Sequence, residues 1–147
     1  MTNLTALQQA VIEQLGYEEL DQDCASQLKD MARWGIDGGF SGFIYYSDTC
    51  KFFDDNRALI LAQLEEDAFS FGEDMLTMIS HFNCLTDNNR KPMYSPTEIM
   101  NAIYNQDDEN ETDIKNALAW YAGETVAYQL EEEIEEVLNQ EEENEEE

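Results

Sequence analysis

Apolar side chains recur at three- and four-residue intervals along most of this chain, a period that admits helices and little else. Leu4, Leu7, Val11 and Leu15 share one stripe, followed by Gly16 where a helix stop is expected. Cys24, Leu28, Met31 and Ala32 trace a second, with Asp21 placed to cap its start and Gly35 to end it. Ser47-Asp48-Thr49 can open a third helix carrying Phe53, Ile60 and Leu64, with Phe52 and Leu61 beside them, which runs to about Ala68 and ends before Gly72. A shorter helix carries Met75, Leu76, Ile79 and Phe82. The sharpest local signal is Ser95-Pro96-Thr97-Glu98, where serine at N-cap, proline at N1 and glutamate at N3 form a capping box. That helix carries Ile99, Ala102 and Ile103 and breaks in the polar stretch NQDDENE. A last helix begins near Thr112 or Asp113, carries Ile114, Ala117, Leu118, Tyr121 and Thr125, and continues through Val126, Leu130, Ile134, Val137 and Leu138.

The expected fold is therefore mainly α: one compact helical domain of five or six helices over residues 1–138, with a disordered acidic tail over 139–147. A chain of 147 residues can bury about 68–70% of its unfolded surface, and 42% hydrophobic residues are too many for a wholly disordered protein. One segment resists the helical period. GIDGGFSGFIYYSDT packs Gly35, Gly38, Gly39 and Gly42 among aromatics, so that Phe40, Phe43, Ile44, Tyr45 and Tyr46 form a short strand or an extended loop. A buried, glycine-enabled turn is the bland reading of this role. A contact surface built from Tyr45 and Tyr46 is the functional one.

Charge limits the class of partner. The formal net charge is -27, and the stretch 131–147 alone holds eleven glutamates and no lysine or arginine. The other 130 residues carry twenty-three acidic and seven basic side chains, a net of -16, so the foldable part is itself strongly anionic. Such a surface repels nucleic acid and anionic lipid and attracts basic proteins. No apolar run approaches the roughly 20 residues of a membrane span, and the first twenty residues lack the pattern of a secretory signal. Three cysteines, Cys24, Cys50 and Cys84, suit a reducing cytoplasm better than a disulfide framework.

Catalytic and cofactor patterns are weak. No phosphate-cradling glycine loop is present, and GIDGGFSG is not the GxGxxG that opens a dinucleotide-binding helix. His81 has no glutamate or histidine partner at metal-binding spacing, and its neighbour Cys84 has no evident third group to complete a nucleophilic site. The run Asp107-Asp108-Glu109-Asn110-Glu111-Thr112-Asp113 resembles a calcium loop, but has Thr112 where glycine is required and Leu118 where the twelfth-position glutamate belongs. The reading is a protein with no catalytic, metal or cofactor residues.

GFSGFIYYSDT followed by a helix, and YSPTEIMNAIY followed by NALAWYAGETVA, resemble a family of small uncharacterised proteins of bacteriophages and plasmids. The resemblance covers roughly residues 30–130 and brings no activity with it. By analogy of charge and size, the chain is also similar to the small acidic helical DNA mimics of phage antirestriction and anti-CRISPR proteins.

Duplex DNA presents roughly one negative charge per 1.7 Å of axis, and an α-helix rises about 1.5 Å per residue, so carboxylates on exposed turns can approximate rows of phosphates. The candidate rows are Asp54 and Asp55 with Glu65, Glu66 and Asp67 on the third helix, and Asp107, Asp108, Glu109, Glu111 and Asp113 in the acidic connection. Glu124 with Glu131, Glu132, Glu135 and Glu136 on the last helix completes them. The pairs Glu131/Glu135 and Glu132/Glu136 place like charges at i,i+4, a destabilising arrangement within one helix. The expected function is non-enzymatic inhibition, by charge mimicry, of a basic nucleic-acid-binding protein or ribonucleoprotein of a bacterial host. A CRISPR effector complex or a restriction–modification enzyme would be the target, in the host cytoplasm, with no direct contact to nucleic acid or membrane. The alternative is an acidic adaptor or chaperone that sequesters a basic protein without duplex geometry. A homodimer is compatible with either.

Overall fold

Capping chemistry decides where these helices begin. A computed structural model describes residues 4–82, 85–104 and 111–145, with the side chains of 36, 37, 111, 112 and 140–145 left aside. Among the described residues the order is α1 (Ala6–Gln14), α2 (Gln22–Trp34), a 3-10 helix (Gly35–Gly38), α3 (Tyr46–Asp55), α4 (Arg57–Phe71), α5 (Met75–Ser80), α6 (Pro96–Tyr104), α7 (Glu111–Gln129) and α8 (Glu131–Glu145). Among the described residues no strand accompanies them, and Thr86 and Pro92 form an isolated bridge. Thr5 and Gln8 form a reciprocal capping box at α1. Asp21 accepts from the Cys24 amide at 2.8 Å to start α2, and Ser95 and Glu98 exchange the two bonds expected at α6. Each such cap is worth about 1 kcal/mol.

Eight α-helices stand among the described residues against the five or six expected, because two long periodic stretches are interrupted. The third is divided at Asn56. Its side-chain amide donates to the Phe52 carbonyl at 3.0 Å, closing α3 before α4 starts at the next residue. The last is divided at Leu130, across which the Leu130 amide still reaches the Val126 carbonyl and the Ile134 amide reaches that of Leu130. This division alters the like-charge argument. Glu131, Glu132 and Glu133 become the first turn of α8, where the helix dipole favours negative charge by about 0.3–1 kcal/mol each and offsets the i,i+4 repulsion.

The chain divides by contact density into two units, one of residues 1–48 with 120–147 and the other of 49–119. In the first, α2 packs against α8. Val11, Ile12, Cys24, Leu28, Met31, Val126 and Ile134 are buried there. The Gly/aromatic segment is neither a strand nor an extended loop: it makes the 3-10 turn and then bends into α3. Phe40 and Phe43 are buried against the Trp120 ring at centroid distances of 6.1 and 5.3 Å, whereas Ile44, Tyr45 and Tyr46 are exposed. Gly42 makes that bend, with φ of +83°, and its carbonyl accepts from the Gln14 side-chain amide at 2.7 Å.

In the second unit the buried side of α4 is Ile60, Leu64 and Ala68, and α5 contacts both α4 and α6. Phe52, Phe53, Ile79, Ile99, Ile103 and Ile114 are buried. Ser47-Asp48-Thr49 does stand at the opening of α3, and Thr49 is in addition fully buried and donates to Asn116 Oδ1 at 2.8 Å.

Candidate partner-binding acidic surface

The fifteen candidate carboxylates fall into three groups. In the unit of residues 49–119, Asp54 is not available as a phosphate stand-in. Its Oδ1 receives Lys115 Nζ at 2.7 Å and Arg57 Nη2 at 2.9 Å. Lys115 lies on α7 with a side chain only 8% exposed, so losing Asp54 takes an anionic partner from a nearly buried cation, a cost moderated by the half-exposed carboxylate. Asp67 is half-buried and accepts from Gln63 Nε2 at 3.1 Å, and Asp113, although exposed, accepts the Tyr94 hydroxyl at 2.9 Å. Asp55, Glu65 and Glu66 are exposed. Asp107, Asp108 and Glu109, together with the side chain of Glu111, lie outside the described residues.

In the other unit, Glu131, Glu132, Glu135 and Glu136 are all exposed on α8. Glu135 Oε1 meets Lys29 Nζ of α2 at 3.3 Å. With both side chains about half exposed, the pair contributes about 0–1 kcal/mol and steers more than it stabilises. Glu124 is a correction. It sits on α7 between the buried Gly123 and Val126, is itself half-buried, and its Oε1 fills the space beside Gly35. Desolvation pushes its pKa above the ordinary carboxylate value of 4.5. A carboxylate held there serves packing rather than an exposed charged row.

Nucleophilic and metal chemistry find little here. Cys24 is buried and its thiol is pushed up to about 12, by burial first and by Asp21 second, so it is a poor nucleophile. His81 is exposed at the end of α5, and Cys84 lies outside the described residues. Among the described residues, no three His, Cys, Asp or Glu side chains gather so as to hold a metal ion. No described helix is long and apolar enough to cross a membrane.

Periodicity did not anticipate the exposed apolar side chains. Phe69 and Phe71 near the end of α4 are 87% and 75% exposed, and Tyr104 at the end of α6 is 51% exposed. The signal was present: a helix with apolar residues on more than one side has an apolar face without a partner.

Residues 6–136 match the family described as Domain of unknown function (DUF7222), and the chain belongs to that family. No curated protein and no solved structure matches it.

Proposed function

We propose that this DUF7222 chain is a non-enzymatic inhibitor that presents helix-borne carboxylates to the basic nucleic-acid-binding site of a host defence protein. The supporting observation is the charge density of α8. Five glutamates stand within the six residues 131–136, over about 9 Å of helix axis. That is one charge per about 1.8 Å, close to the roughly 1.7 Å of duplex DNA. Four of the five, Glu131, Glu132, Glu135 and Glu136, are exposed. Glu65 and Glu66 on α4 supply a second exposed pair. The contact set is thereby narrowed: Asp54, Asp67, Asp113 and Glu124 have structural work and are set aside. The chain would act in the cytoplasm of a bacterium carrying the phage or plasmid that encodes it, against a CRISPR effector complex or a restriction–modification enzyme.

The competing reading is an acidic adaptor that sequesters a basic protein without imitating a duplex. The engagement of Asp54, Asp67 and Asp113 within their own unit favours it, because it thins one of the expected rows. Competition separates the two. The chain is used to capture its partner from bacterial lysate at low salt, and duplex DNA is then titrated in. A mimic is displaced by DNA from the partner's own nucleic-acid site and is lost at high salt, whereas an adaptor stays bound beside the DNA. Converting Glu131, Glu132 and Glu136 to lysine abolishes capture if α8 carries the contact. Loss of capture on truncation after Gln140, with those glutamates intact, would assign binding to the tail and sink the mimic.

A further inference from the structure

An open groove of about 520 Å³ lies on the second unit, floored by Ala58, Leu61 and Ala62 of α4 and walled by Met75 and Tyr104. Its floor residues stand at i, i+3 and i+4, on a side of α4 that adjoins the buried Leu64 and Ala68 at Leu61 and turns away from them at the exposed Ala58 and Ala62. Phe69, seven residues past Ala62, continues that side into solvent. Two carboxylates form the rim, Glu65 on α4 and Asp74 at the start of α5. Asp74 is held in place by the Leu76 amide at 3.2 Å and the Thr77 hydroxyl at 3.3 Å. A trough with an apolar floor and anionic edges complements a helix that presents apolar anchors flanked by Lys and Arg.

We propose that this groove docks an amphipathic basic helix of a partner protein, with its apolar anchors against Leu61 and Met75 and its cations at Glu65 and Asp74. A second copy of the chain fits badly, because each copy carries -27 and would bring more carboxylates to an anionic rim. The stretch 105–110 that follows Tyr104 contains no apolar side chain to fill the floor. The inference stands on this groove and on the sign of the charge, independently of duplex mimicry.

The probe is a fluorescein-labelled peptide of leucines and lysines in a helical heptad pattern, titrated with the full chain and read by anisotropy. Ala62→Arg obstructs the floor and changes the net charge by one, and it is expected to weaken binding by about tenfold or more. Glu13→Gln makes the same charge change at an exposed position of α1 and is expected to cost less than about threefold. Phe69→Ser tests the same face at a side chain too exposed to endanger the fold. In the wild type, peptide addition should shift the Met75 methyl resonance. Equal losses for Ala62→Arg and Glu13→Gln, or a Met75 signal that does not move, would overturn the proposal in favour of general charge attraction. A wild-type dimer that Ala62→Arg dissolves would overturn it in favour of a second copy.

Discussion

Alanine at Gly42 separates the cost of backbone conformation from the cost of space. Gly42 sits at φ of +83°, a region that costs an L-residue about 1–2 kcal/mol. A Cβ there would also overlap the main-chain carbonyl oxygen of Gln14. Gln14 cannot swing aside, because it is the last residue of α1 and its side-chain amide is bonded to the Gly42 carbonyl. Forcing backbone apart in a packed region adds about 1–3 kcal/mol. Gly42→Ala should therefore lose about 2–5 kcal/mol, a large share of the roughly 5–15 kcal/mol that holds a domain together. Gly39 is the internal control. Its φ of +63° carries the same conformational penalty, but a Cβ there meets nothing within 4 Å, so Gly39→Ala should lose only about 1–2 kcal/mol. Urea unfolding with a common slope measures both. Equal losses would show that the approach to Gln14 carries no weight and that the turn tolerates displacement.

Three further outcomes follow from the carboxylates and the thiol. Asp54→Asn removes the Lys115–Asp54 ion pair and should cost about 1–3 kcal/mol in chemical denaturation, while Asp55→Asn, next in sequence and exposed, should stay within about 0.5 kcal/mol. Equal effects would remove Asp54 from its structural role. Burial raises the Glu124 pKa in the folded state above its unfolded value, so stability falls as pH rises from 4.5 through the raised value. Glu124→Gln should accordingly gain on the wild type in melting temperature between about pH 4 and pH 7, and parallel melting curves across that range would refute the burial argument. Cys24 should resist alkylation in the native protein at neutral pH and react at the rate of unfolding, whereas Cys50, which is only half-buried, should react faster. Rapid native labelling of Cys24 would contradict its raised pKa.

Helix identity was legible because its signals are local. Asp21, Gly35 and the Ser95-Pro96-Thr97-Glu98 box each act within one turn of their own position, and each performs the bond its residue type suggests. What escaped the sequence depends on partners far along the chain. Asn56 is the exception, since its amide closes α3 on the Phe52 carbonyl only four residues back, a bond that its residue type alone does not distinguish from a solvent-facing amide. Asp54 reads as surface charge until Lys115, sixty-one positions later, is found against it. Glu124 had a clue, since it stands inside NALAWYAGETVA, where nearly every neighbour is buried and a carboxylate would have to be drawn in with them. Glu131, Glu132, Glu135 and Glu136 of α8 are exposed, as the sequence suggested.

The nesting of residues 49–119 between the two segments of the other unit has a consequence for biosynthesis. α2 leaves the ribosome roughly a hundred residues before α8, the helix it packs against. At bacterial elongation rates of about 5–20 residues per second, Leu28 and Met31 spend about 5–20 s as nascent chain without that cover. The inner unit, continuous in sequence, can complete itself during the same interval. The glutamate-rich helix thus arrives after both, as the piece that covers α2, while the 130 residues that precede it already carry a net charge of -16 that opposes their aggregation.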